Sequence, residues 1–207
     1  MTDTSNRRVQ LGRRERKRQL LADQAAAIAF DLFEAQGYEA VTMEQIAAAA
    51  DLAKGTLYKY FPVKEALLAH QFQRDIGAGL APLWQVLEKQ HTFAAQMQRL
   101  LHASAKWNEA RRRYIPHYLR YRFSVGEFDG TSTTRQQPSR ERQLFERLCL
   151  AGQHRGDVRD DLPAGQLAVM LDYMCLGALS IWLETPDGNL KNEFDALRVL
   201  ALRGMRP

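Results

Sequence analysis

Apolar side chains recur at helical spacing along almost the whole chain, and the every-second-residue alternation expected of strands is nearly absent. The pattern predicts a first helix over 12–36, with an apolar face at Leu21, Ala25, Ile28, Ala29, Leu32 and Phe33. Gly37 follows where a helix-ending left-handed residue belongs. A short second helix starts after Thr42, because Thr42-Met43-Glu44-Gln45 reads as a capping box, and Ile46, Ala47 and Ala50 give it a small packing face. Asp51-Leu52-Ala53 makes a tight turn into a third helix over 54–61, which Pro62 stops. A fourth begins near Val63-Lys64 and runs through Leu67, Leu68 and Phe72, until Gly77, Gly79 and Pro82 bend or end it. Helical spacing resumes over 93–107 and 114–123, the stretch 125–138 reads as a loop, and three more helices are expected near 139–154, 164–184 and 190–203. The fold class is all-α, with a domain boundary between the first half of the fourth helix and Pro82.

Two short helices separated by three residues, with alanines where they cross, have helix-turn-helix geometry. Ala47 and Ala50 permit close approach, and Leu52, Leu57 and Phe61 can point inward. Lys54, Thr56, Tyr58 and Tyr60 then face away, presenting a cation, hydroxyls and aromatic rings suited to phosphates and base edges. Taken alone, Tyr58 and Tyr60 read equally well as ordinary surface aromatics, and Lys59 as a solvated side chain.

The run from Thr42 to Lys64, with a Thr-capped helix carrying I-A-x-x-A, then K-G-T-L-Y-x-Y-F and a lysine opening the next helix, resembles the TetR family of bacterial transcriptional regulators. The resemblance covers roughly 16–68. It implies a basic arm and helix-turn-helix DNA-binding domain over 1–75, followed by a helical ligand-binding and dimerisation domain over 76–207. It further implies that Thr42 caps the second helix and touches a phosphate. Lys54, Gly55, Thr56 and Tyr58 would meet the major groove, with Gly55 letting the backbone come close. Tyr60 and Lys64 would hold phosphates, the latter at a helix start that favours anions. Three residues depart from the family pattern. Asp51 stands where a turn glycine is usual, Ala53 where a capping serine is common, and Val63 in place of another cap.

Net charge adds a location rather than a class. The chain has 207 residues, 45% of them apolar, and a formal charge of +5. Residues 1–20 hold seven basic side chains (Arg7, Arg8, Arg13, Arg14, Arg16, Lys17 and Arg18) against Asp3 and Glu15, so this segment carries the whole excess. Such an arm suits a phosphate or minor-groove contact, mobile over 7–18 until it settles on DNA; a solvated tail is the alternative. Cys149 and Cys175, each in an apolar helical pattern, read as buried free thiols. No apolar run is expected to span a bilayer, and no hydrophobic region follows Arg7-Arg8 as an export signal would require. A cytoplasmic protein without membrane contact is expected.

In the second domain, Tyr114, Tyr118 and Tyr121 share a helical face if Pro116 is tolerated, with Trp107 and His117 close by. These five, with Tyr173 and Met174, are the candidate effector-binding residues; Phe93, Met97 and Met170 are weaker candidates. The alternative is that the tyrosines are core residues with hydrogen-bond partners. Wide apolar faces on the last two helices must be buried against something, and the family resemblance makes that a four-helix homodimer interface. No metal-ligand spacing, nucleophile elbow, P-loop or dinucleotide fingerprint occurs, and no cofactor or metal is expected. The reading is a ligand-released repressor, not an enzyme, that binds a palindromic double-stranded DNA operator as a homodimer. Two others stand beside it: a helical small-molecule binder with a vestigial DNA domain, and a cofactor-free helical enzyme.

Overall fold

A computed structural model describes residues 12–124 and 138–205. Arg7 and Arg8 of the basic arm lie outside the described residues, as does the loop expected over 125–138 up to residue 137. The elements are α1 (Arg13–Gln36), α2 (Met43–Ala49), α3 (Lys54–Tyr60), α4 (Lys64–Glu88), α5 (Phe93–Glu109), a 3-10 turn (Arg112–Tyr114), α6 (Ile115–Ser124), α7 (Arg140–Arg155), α8 (Ala164–Glu184) and α9 (Leu190–Gly204). No strand occurs among the described residues. The chain forms two compact units, Met1–Gln71 and Phe72–Pro207.

In the N-terminal unit the local signals and the tertiary packing agree. Thr42 caps α2: the Gln45 amide donates to Thr42 Oγ1 at 3.2 Å, and the Thr42 amide donates to Gln45 Oε1 at 2.7 Å. The turn after α2 is a Schellman closure. The Leu52 amide reaches back to the Ala47 carbonyl at 2.9 Å and the Asp51 amide to Ala48 at 3.2 Å. Asp51 therefore has to take a positive φ, 51°, and is the only non-glycine residue to do so among those described. Ala53 has the extended backbone of an N-cap but offers no side-chain hydrogen bond. Ile46, Ala47, Leu57 and Phe61 are buried with Phe33 of α1 and with Leu67 and Leu68 of α4. Leu52, expected inward, is only half-buried.

Arg13, Arg14, Arg16, Lys17 and Arg18, part of the basic segment expected to settle on DNA, form the first turns of α1, within the helix expected over 12–36, with Gly12 at the N-cap position. One sequence expectation needs correction. The fourth helix does not stop at Gly77, Gly79 or Pro82; it continues to Glu88 with Pro82 inside it. Two helical glycines and a proline cost roughly 1 and 3 kcal/mol each relative to alanine. Tertiary packing overrides them: Phe72 and Leu87 are fully buried, and Ile76, Leu80 and Leu83 face a cavity between them in sequence.

The C-terminal unit is a helical bundle in which α8 lies against α7, α9 and α6, and α5 against α9 and α7. Phe93, Phe194 and Trp182 anchor its core, and the Trp182 indole donates to the Gly188 carbonyl at 3.0 Å. Gly152 marks the closest approach: a Cβ there would stand 2.5 Å from Val158 Cγ2. Pro116 sits in the first turn of α6, where a missing amide is harmless. Against the sequence expectation, α8 is long and apolar enough to cross a membrane by length and composition. Both of its sides carry apolar residues, one of them packed on the bundle.

Candidate nucleic-acid interface and ligand cavity

The first turn of α3 follows directly from the Schellman closure, which fixes its direction. Leu57 is fully buried and points α3 so that Lys54, Gly55, Tyr58 and Lys59 are exposed and Thr56 and Tyr60 half-buried. Lys54 Nζ lies 3.4 Å from Glu44 Oε1 on α2, with Tyr58 near the same carboxylate. The Glu44 carboxyl is held below its ordinary pKa, first by the backbone amide at the α2 start and then by Lys54. Sequence reasoning missed Glu44 as a member of this surface, although its place in the first turn of α2 was legible. Gly55 has no left-handed backbone, and a Cβ there would meet nothing within 4 Å. The folded chain itself gives no steric reason for glycine at this position.

Lys64 is placed differently from the other expected DNA-binding residues. Its ammonium donates to the Tyr38 carbonyl at 2.8 Å and, more weakly, to Glu39 at 3.5 Å, and it lies 4.6 Å from the centre of the Tyr38 ring. Its first task is to fasten the α1–α2 loop to the start of α4. A second basic feature adjoins the far end of α3, a groove lined by Gly12, Arg14, Glu15, Lys17, Arg18, Leu21, Lys59 and Tyr60. The Arg18 guanidinium stands 5.7 Å from the Tyr60 ring centre. Four cations and one carboxylate thus surround Tyr60, and Lys59 belongs to the groove.

The C-terminal unit holds a partly open cavity of about 250 Å³, bounded by α4, α5, α6, α7, α8 and α9. Of the expected ligand residues, Trp107 and Tyr118 line it, and Tyr114, His117, Tyr121, Tyr173 and Met174 do not. Tyr114 is buried, its ring centre 6.4 Å from that of Phe72. Tyr121, Tyr173 and Met174 are half-buried. Phe93, Met97 and Met170 are also absent from the wall. Tyr118 joins a polar network there: its hydroxyl donates to Glu141 Oε1 at 3.2 Å and accepts from Arg122 at 2.9 Å and Gln73 at 3.2 Å. Burial first, and then Glu141, push its phenol well above the ordinary range. Arg122 also donates to the buried Asp172 at 2.8 Å. Burial likewise pushes the Cys149 thiol up to about 12 and raises that of Cys175, which lines the cavity, so both stay protonated and unreactive. Sequence reasoning missed the α4 contribution, because Gly77, Gly79 and Pro82 hid the helix that carries Asp75, Ile76 and Leu80, and the α7 contribution, because spacing alone does not show which helices face one another.

Residues 27–70 match the family model described as bacterial regulatory proteins, tetR family. The transcriptional repressor KstR of Rhodococcus jostii is 39% identical over 79 residues, 36% of this chain and 37% of that protein. KstR of Mycolicibacterium smegmatis is 47% identical over 62 residues, 30% of this chain and 28% of that protein. The chain thus spans about a third of the length of these curated relatives. Among solved structures, FadR of Thermus thermophilus, a TetR-family repressor in complex with lauroyl-CoA, superposes with a TM-score of 0.72. At 21% identity, covering 90% of this chain and 95% of that one, it shows a shared fold.

Proposed function

The chain belongs to the TetR family, and from that premise we propose that it is a ligand-released transcriptional repressor that binds a palindromic DNA operator as a homodimer. The observation that carries this reading is α3, which presents Lys54, Gly55, Thr56 and Tyr58 outward from a rigidly closed turn, beside a groove of four cations. Lys54, Thr56 and Tyr58 read base edges, and Gly55 brings backbone close to the groove floor. Thr42, Tyr60 and the Arg14/Lys17/Arg18/Lys59 groove hold phosphates. Lys64 supports them through the loop it fastens, with one N–H left for a phosphate. Glu44 keeps Lys54 extended across the surface in the absence of DNA.

The cavity is the effector site in this reading. Its wall includes Asp75, Ile76, Gly79, Leu80 and Leu83 of α4, the helix whose first residue is Lys64. A molecule that binds one setting of α4 better than another shifts the populations of DNA-binding and released states. The homodimer uses the outward stripe of α8 (Met170, Met174, Ile181) and of α9 (Val199, Leu200), most of which is exposed in the single chain.

Sequencing the fragments that the purified protein selects from random DNA tests the reading. One inverted-repeat motif is expected, bound with a salt dependence that loses about one unit of slope when Lys17 is changed to alanine. Failure to enrich any motif would overturn it.

A further inference from the structure

The cavity wall has a one-sided polarity. Three carboxylates line it, Asp75, Glu141 and Asp172, and no Lys, Arg or His does. The cations that balance two of them stand outside the wall: Arg111 lies 3.7 Å from Asp75, and Arg122 and Arg142 lie 2.8 and 3.8 Å from Asp172. Glu141 takes its hydrogen bonds from two neutral donors, Gln73 at 2.8 Å and Tyr118 at 3.2 Å, and Arg122 acts on it only through space, from behind Tyr118. Asn108, 7% exposed, supplies a further acceptor. Its amide nitrogen donates to the Ser104 carbonyl at 2.8 Å and hydroxyl at 3.2 Å, while its carbonyl oxygen accepts from none of the described residues. Apart from Ser104, Gly79 and the Cys175 thiol, the remainder of the wall is aliphatic or aromatic.

An organic anion entering this space would lose its hydration and find carboxylates and a bare carbonyl in its place. A hydroxyl, phenol or amine would donate to the same groups. Size narrows the choice further. A dry cavity of about 150 Å³ holds benzene, so about 250 Å³ suits a body of roughly a dozen heavy atoms.

We propose that the effector is a compact, largely apolar molecule that donates hydrogen bonds and carries no negative charge. The Asn108 carbonyl oxygen and the Glu141 carboxylate are its foremost acceptors. The proposal rests on the effector reading of this cavity, and it excludes anionic effectors of the same size by chemistry rather than by fit.

Three probes with one skeleton test it: naphthylmethanol, naphthylmethylamine and naphthoate, titrated calorimetrically into the full chain without DNA. The alcohol and the amine are expected to bind at least about tenfold more tightly than the carboxylate. Asn108→Leu and Glu141→Gln should each narrow that gap, with circular dichroism unchanged. Leu83→Trp, which fills the cavity, should abolish binding of the alcohol and the amine. The proposal is overturned if naphthoate binds as tightly as the others, if none of the three binds, or if Leu83→Trp leaves binding intact. Should a variant fail to fold, the ranking of the three probes on the unaltered protein decides alone. Because no DNA is present, a failed ranking leaves operator binding untouched. Correctly ranked probes that do not release operator DNA would instead count against the effector reading.

Discussion

Asp51 shows how much a single residue discloses. Its place between two short helices announced the turn from sequence, and the structure gives it a φ of 51°. That conformation crowds Cβ against the following carbonyl in any L-residue but glycine, at roughly 1 kcal/mol or more. Asp51→Gly should therefore raise stability to urea by up to about 1 kcal/mol, offset in part by the freer unfolded chain. Ala53→Ser should add about as much by giving α3 the cap it lacks. Unchanged denaturation midpoints in both variants would show that the turn is held by packing alone. Lys64 marks the opposite case. Its charge and its position at a helix start were legible, but its carbonyl partners come from a loop 25 and 26 residues away and could not be read from spacing. Lys64→Ala should thus lower both thermal stability and DNA affinity, whereas Lys17→Ala lowers affinity alone. Equal stability of the two variants in a thermal scan would remove the fastening role.

Helices were legible as elements wherever apolar periodicity and caps agreed, and were misread where composition and packing conflicted. α2 has a reciprocal capping box, and its start was fixed by four consecutive residues. α4 carries Gly77, Gly79 and Pro82 and continues regardless, since long-range burial of Leu87 outweighs local propensity. The cavity was hidden for a related reason: of Tyr114, Tyr118 and Tyr121 only Tyr118 reaches it, and its wall draws on six helices. Two glycines within helices make contrasting predictions. Gly152→Ala drives a Cβ to 2.5 Å from Val158 and should destabilise the chain by about 1–3 kcal/mol in denaturant titration. Gly55→Ala meets open space and removes a residue that lowers helix propensity, so stability should hold or rise by up to about 1 kcal/mol. DNA affinity should nevertheless fall at least tenfold if backbone approaches the bases there. Undiminished affinity would show that α3 sits further from the groove floor.

At the scale of the whole molecule, the apolar residues that the single chain leaves uncovered point to its assembly. Most single exposed apolar side chains need no explanation. Here Met170 and Ile181, about three helical turns apart on α8, and the neighbouring Val199 and Leu200 on α9 are exposed, on two helices that pack together. In the proposed dimer this surplus would account for an α8 that is apolar enough to suit a bilayer while belonging to a bundle. A symmetric dimer through this stripe would bury it and set the distance between two recognition helices, and thereby the spacing of the operator half-sites. Ile181 and Leu200 are 54% and 65% exposed, so a glutamate at either costs the monomer fold little. Ile181→Glu with Leu200→Glu should therefore give a folded monomer by light scattering, with the helical circular dichroism of the parent chain. Binding to the full inverted repeat should fall by at least about 100-fold, because each half-site must then be occupied independently. Affinity for an isolated half-site should stay within about twofold. A double variant that remains dimeric would place the interface elsewhere. A monomer that still binds the full repeat at parental affinity would separate dimerisation from operator recognition.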